Sequence, residues 1–255
     1  HRPFGTQLSR AFSTVRAPHP IKLSLSVTLP ADLVQAEAMT LAALKQALSD
    51  RQQRRWTVTW RFEGLRLLKP ALRLAKAMED AGHEVVLGWP DAGSAALAQR
   101  ESPEMAANCF ALKDLMLSSD PEITGRLLLA MGPQPSDYEM VEQICNIWQG
   151  AVVLLNGKLE DAGVGIGSVA RGRRKGFLSI WRSAFHLEPL AEGALLQNEQ
   201  EMWHLFKADP DGYRFLGTMP SKPDAEVIAM ALSGDGDSLG RQLGAVDRFI
   251  EDLRG

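Results

Sequence analysis

The sequence predicts an α/β fold of Rossmann-like layout: a mixed, mainly parallel sheet with helices on both faces and a C-terminal antiparallel extension. Three observations carry this. Short apolar runs alternate with amphipathic helical stretches from about residue 30 to residue 181, the pattern of strand–helix units that cross back over a parallel sheet. One run, "AVVLLNG", is an unbroken apolar strand closed by Asn156-Gly157. Beyond Phe185 the character changes to short strand-like runs joined by hairpin-type turns.

The elements follow in chain order. "PADLVQAEAMTLAALKQALSD" reads as a helix, with Leu33, Val34, Ala38, Leu41, Ala42, Leu44 and Leu48 forming its apolar stripe. Pro30 at its start and Asp32 in its first turn suit a helix N-terminus. "RRWTVTWRF" alternates about Trp56, Val58, Trp60 and Phe62 and predicts a strand. "GLRLLKPALRLAKAMEDAG" is helical up to a capping Gly82, and Pro70 sets Leu65 to Lys69 apart as a separate turn. "HEVVLGW" is a buried strand, and "PDAGSAALAQRE" a loop and short helix capped by Asp91 or Ser94.

"NCFALKDL" and "GRLLLAMGP" read as two further strands, the second stopped by Gly132 and Pro133. "QPSDYEMVEQICNIWQG" is a helix with Ser136 as N-cap and Glu139 three positions on. After "AVVLLNG", the stretch "SVARGRRKGFLSIWRSAF" is predicted as one helix. "FHLEPL", "GALLQ", "MWHLFKA" and "YRFLGTM" are the antiparallel runs, with "DPDG" at Asp209 to Gly212 as a turn. "KPDAEVIAMALSG" and "SLGRQLGAVDRFIEDLRG" close the chain as helices. The expected organisation is a basic tail over 1–27, an α/β domain over 28–233 and a helix over 234–255 outside it. No internal repeat is visible.

Composition narrows the function. The 255 residues, 45% hydrophobic, suffice for one substantial core or two small ones. A net charge of −3 argues against nucleic acid as a partner. No run approaches the 18 or so apolar residues of a membrane-spanning helix. Cys109 and Cys145 sit in apolar stretches and read as reduced core residues. From His1 to Ala31 there is no acidic residue, while Arg2, Arg10, Arg16 and Lys22 are present among Ser, Thr and Pro. This composition suits an organelle transit segment or a basic mobile tail. Such a tail has too few apolar groups to fold on itself, and is expected to lie on a partner protein, with Arg10 and Arg16 as contacts.

The candidate sites centre on "GKLEDAGVGIGSVARGRRKGFLSIW". Gly163, Gly165 and Gly167 miss the dinucleotide fingerprint in spacing and position, and the loop ends Gly167-Ser168-Val169 where a P-loop needs Gly-Lys-Ser/Thr. Two readings stay open: a flexible turn with Ser168 as N-cap, or an anion site made by Gly163, Gly165, Gly167 and Ser168 at a helix N-terminus. Arg171, Arg174 and Lys175 can align on one helix face with Arg173 projecting elsewhere, either as a solvated face or as a surface for an acidic protein or lipid head groups.

None of the five histidines makes a metal-ligand pair. His83 reads as structural; His186 and His204 lie in short strand-like runs, where a shared site is conceivable. Asp91 follows a strand at the end where open α/β sheets bind ligands, although Asp91 and Ser94 are more often caps at such a position. Trp181 and Trp203 are candidates for an exposed patch. No nucleophile elbow is present.

"TLPADLVQAEAMTLAALKQAL", "WPDAGSAALAQR", "VVLLNGKLEDAGVGIGSVARGRRKGFLSIWRSAFHLEPL", "EMWHLFKADPDGYRFLG" and "KPDAEVIAMAL" occur in this order. Together they resemble the domain of unknown function 1995 family, over roughly Leu29 to Leu232 and most specifically around Asn156, Gly165 and Arg174. The resemblance implies the photosynthetic setting of cyanobacteria and plastids, and chloroplast low-photosystem-II-accumulation proteins among its members. It implies no reaction and carries no catalytic residue. The expectation is therefore a non-catalytic accessory protein on the stromal face of the thylakoid, bound to a photosystem core or light-harvesting antenna. No cofactor is expected, although pigments could touch the interface. A nucleotide- or phosphometabolite-binding domain and a transient assembly chaperone are the alternatives.

Overall fold

Trp56, Val58 and Trp60 turn one face of β1 (Arg55–Trp60) into the core, and all three are buried. The computed structural model describes residues 27–118, 120–198 and 202–234. The predicted tail contacts Arg10 and Arg16, and nearly all of the predicted C-terminal helix, lie outside the described residues. Eight further strands join β1: β2 (Val85–Trp89), β3 (Cys109–Ala111), β4 (Leu127–Met131), β5 (Val152–Leu155), β6 (Arg182–Leu190), β7 (Gly193–Gln197), β8 (Trp203–Asp209) and β9 (Gly212–Met219). They form one sheet in the order β3-β2-β4-β5-β1-β6-β7-β8-β9. Every pair from β3 to β6 is parallel, and β6 to β9 continue as an antiparallel meander. The predicted mainly parallel sheet with a C-terminal antiparallel extension is thus the one observed.

Helices cover both faces. α1 (Leu33–Ala47), α2 (Leu68–Asp80) and α3 (Ala92–Glu101) pack one side through Leu44, Leu74, Met78 and Ala98, against Trp60, Leu87, Leu129 and Val153. On the other side lie α4 (Leu112–Met116), the short α5 (Pro121–Thr124), α6 (Tyr138–Ile147) and α7 (Ser168–Lys175). Val86, Leu128 and Leu154 there meet Leu112, Val141 and Ile144. Successive strand residues alternate between these two clusters, as a pleated sheet buried on both faces requires. α8 (Ala225–Ser233) covers Leu195 and Leu205, whose strand neighbours Leu196 and Phe206 face the first cluster; it therefore shares the side of α4 and α6.

Four local expectations are corrected. The buried stripe of α1 is Ala36, Thr40, Ala43 and Leu44, and Val34 is exposed. Thr40 is tolerated because its hydroxyl donates to the Ala36 carbonyl at 2.7 Å and accepts from Trp60 Nε1 at 2.9 Å. Pro70 breaks nothing, since α2 begins at Leu68 and leaves the proline in the first turn, where no N–H is needed. "NCFALKDL" is a strand only to Ala111 and then becomes α4. The long helix predicted from Ser168 stops at Lys175: Gly176 leaves helical geometry (φ −96°, ψ −117°), a 3₁₀ turn spans Phe177–Ile180, and Arg182 already belongs to β6. Among the described residues no helix is long and apolar enough to cross a membrane.

Candidate functional site

β1 and β5 are adjacent, yet the chain leaves β1 for α2 on one face and β5 for α7 on the other. Such a divergence opens the carboxyl edge of a parallel sheet. Asn156 organises it. Its backbone is left-handed (φ 55°), its N–H donates to the Val58 carbonyl at 2.8 Å, its Oδ1 accepts from the Trp60 N–H at 2.6 Å and its Nδ2 donates to the Trp60 carbonyl at 2.9 Å. The carboxamide thereby extends the β1–β5 ladder by one side-chain rung. Beside it lies a cleft of about 360 Å³ lined by Thr59 to Glu63 and Asn156 to Lys158.

The glycine loop follows. A 3₁₀ turn over Leu159–Gly163 buries Leu159. Arg174, from α7, then reaches back: one Nη donates to the carbonyls of both Gly163 and Gly165, the latter at 2.7 Å. A Cβ on Gly163 would stand 2.7 Å from Leu178 Cδ1 and 2.9 Å from Arg174 Cγ, so a side chain there would push on the arginine that braces the loop. Arg173 donates to the Ala162 carbonyl at 3.2 Å, lies 4.5 Å from the Tyr138 ring centroid and pairs with Glu139 at 3.6 Å. The loop thus presents carbonyls to a guanidinium. Gly167 takes the N-cap position of α7, and Ser168, predicted as the cap, is the first helical residue.

The structure joins Gly163 and Gly165 of the predicted anion site and Arg174 of the predicted contacts into one braced unit. It leaves Arg171 and Lys175 exposed, one helical turn apart and without an ion pair among the described residues. From the braced glycines into the first turn of α7 the chain turns its apolar side chains outward: Val164 is 76% exposed, Ile166 95% and Val169 68%. The sequence reading missed this tip, although its signal, aliphatic residues alternating with glycines in "GVGIG", was present.

A second missed group sits at the ends of β1 and β6. Arg61 lies between Glu160 (3.4 Å) and Glu188 (3.8 Å), and Glu188 Oε2 is 2.8 Å from Nε2 of the buried His186. Burial lowers the His186 pKa, and the hydrogen bond from His186 lowers that of Glu188. His204 does not join them. It turns to Thr218 Oγ1 at 3.0 Å, whereas the next-door Trp203 packs its ring at a tilt against His186, centroids 4.9 Å apart. Asp91 caps α3 by accepting from the Ser94 N–H and hydroxyl. Cys109 and Cys145 are free and buried, and burial pushes the Cys145 thiol up to about 12, far from a reactive thiolate. No three His, Cys, Asp or Glu side chains among the described residues gather as a metal site.

The fold and site define an α/β protein with a mostly parallel, doubly covered sheet, whose outward features at the carboxyl edge are a mixed-charge cleft and a cation-flanked apolar tip. Residues 30–230 match the model of the family described as domain of unknown function (DUF1995), and the chain belongs to that family. No curated protein and no solved structure matches the chain.

Proposed function

We propose that the protein is a non-catalytic accessory subunit that docks peripherally on the stromal face of the thylakoid, onto a photosystem core or light-harvesting antenna, and supports its assembly or stability. One observation carries the docking part: the segment from Val164 to Lys175, where three exposed aliphatic side chains stand beside Arg171 and Lys175, which make no ion pair among the described residues. Burying one such side chain is worth roughly 1.5–3 kcal/mol, so a thylakoid surface that covers the tip, protein or lipid, gains what the isolated chain leaves unused. The photosynthetic setting, the plastid and the photosystem rest on the family resemblance of the sequence. Pigments at the interface belong to the same proposal.

The test is co-fractionation with isolated thylakoid membranes. Wild-type protein is expected to sediment with them and to be released as salt rises from about 0.05 to 0.5 M, which cuts the screening length from roughly 14 to 4 Å. Arg171→Glu with Lys175→Glu is expected to lower the bound fraction at least fivefold. A protein that stays monomeric and free of the membranes at low salt would refute the reading.

The nucleotide-binding alternative has one observation in its favour, the cleft at the sheet's carboxyl edge. Of the two cations that line it, Arg61 is already shared by Glu160 and Glu188, with which a phosphate would have to compete, and Lys158 is the other. A thermal-shift screen that finds stabilisation by a nucleotide would revive it.

A further inference from the structure

We infer that the Val164–Ile166–Val169 tip enters an anionic lipid layer directly, with Arg171 and Lys175 on the head groups. This rests on the docking reading above and names the partner of the same surface. Three features favour lipid over protein. The tip is convex and aliphatic: Ile166 is 95% exposed between two glycines, and no aromatic residue occupies the stretch from Val164 to Lys175. Protein hot spots are instead pockets and anchors rich in Trp, Tyr and Arg, whereas an acyl layer accommodates a projecting aliphatic group without matching its shape.

The second feature is the backbone. Carbonyl groups entering a lipid interface need partners from within the protein. Arg174 supplies them to Gly163 and Gly165, so the loop carries its own hydrogen bonds to the interface.

The third is charge. Arg171 and Lys175 follow the tip on α7 and stand within about 11 Å of Ser168 along the helix axis. That places them at head-group level when Ile166 is in the acyl boundary, and exposed Lys and Arg side chains there are attracted to anionic lipid. The chain as a whole carries a net charge of −3, so this attraction orients the molecule through a local positive face.

The experiment is vesicle sedimentation of the full chain. Phosphatidylcholine vesicles with about one third phosphatidylglycerol are compared with phosphatidylcholine alone. Binding is expected only to the anionic vesicles. Ile166→Asp and the Arg171→Glu, Lys175→Glu pair are each expected to lower the bound fraction at least fivefold. Val34→Asp, which alters another exposed aliphatic, on α1, is expected to leave it unchanged. Ile166→Cys carrying an environment-sensitive dye gives an independent reading, since the two native cysteines are buried. Its emission is expected to shift to the blue on anionic vesicles, and an unshifted spectrum overturns the inference.

Thylakoid membranes serve as the parallel arm. Binding to these but not to protein-free vesicles overturns lipid insertion, leaves the docking reading standing and assigns the surface to an acidic protein. Binding to neither overturns both.

Discussion

Asn156 is a residue whose loss separates cleanly from its neighbours. Its carboxamide meets both backbone groups of Trp60, and replacing it by alanine strips two partly buried partners while keeping a left-handed backbone. Asn156→Ala is expected to cost about 2–3 kcal/mol, measured by urea unfolding. The cations divide in the same way. Arg174→Ala should lower the melting temperature by unpinning two carbonyls, whereas Arg171→Ala and Lys175→Ala should leave it unchanged. His186 sets a pH dependence. Its folded pKa lies below its unfolded one, so the unfolded chain takes up the proton first as pH falls from about 6.5. Stability present at pH 7 is lost from there down to the folded pKa, and His204 adds in the same direction. Melting temperatures between pH 7.5 and 5.5 are expected to fall, with a shallower slope for His186→Gln. At this scale the sequence showed the cluster of four cations but not their division of labour. Which arginine turns inward depends on the path of the chain from Asn156 to Gly167, between β5 and α7, and no local periodicity encodes that.

At the scale of elements, most strands were legible because a strand buried on both faces is an apolar run of four to six residues bounded by turn formers. The failures have physical causes. Helical and strand periodicities coincide over short apolar stretches, so "FLSIWRSAF" looked like a continuation of α7, although Gly176 ends that helix and Trp181 opens the approach to β6. Two glycines show how differently elements constrain the same residue. A Cβ on Gly193 in β7 would stand 2.1 Å from the Phe206 carbonyl oxygen of the paired β8, whereas one on Gly172 in α7 would meet nothing within 4 Å. Gly193→Ala is expected to destabilise by about 1–3 kcal/mol. Gly172→Ala is expected to stabilise by about 0.5–1 kcal/mol through helix propensity. Denaturant midpoints of the two variants check both signs.

For the whole molecule, the class of fold was legible and the strand order was not. Alternation of strand and helix implies parallel pairing, yet nothing local tells β1 that its neighbours are β5 and β6. The surface followed the same division: the charge of the projection was visible, while its apolar tip needed the loop to be seen turned outward. The position of β1 has a consequence for biosynthesis. Flanked by β5 and β6, it has no paired strand among the described residues translated before or soon after it. At roughly 5–20 residues per second, a ribosome needs on the order of 5–20 s beyond Trp60 to deliver β5. During that interval a strand bearing two tryptophans and a valine waits on the nascent chain, dependent on the exit tunnel or a holdase for shelter. Chains stalled before residue 152 are therefore expected to be digested by added protease, with resistance arriving only once β6 has emerged.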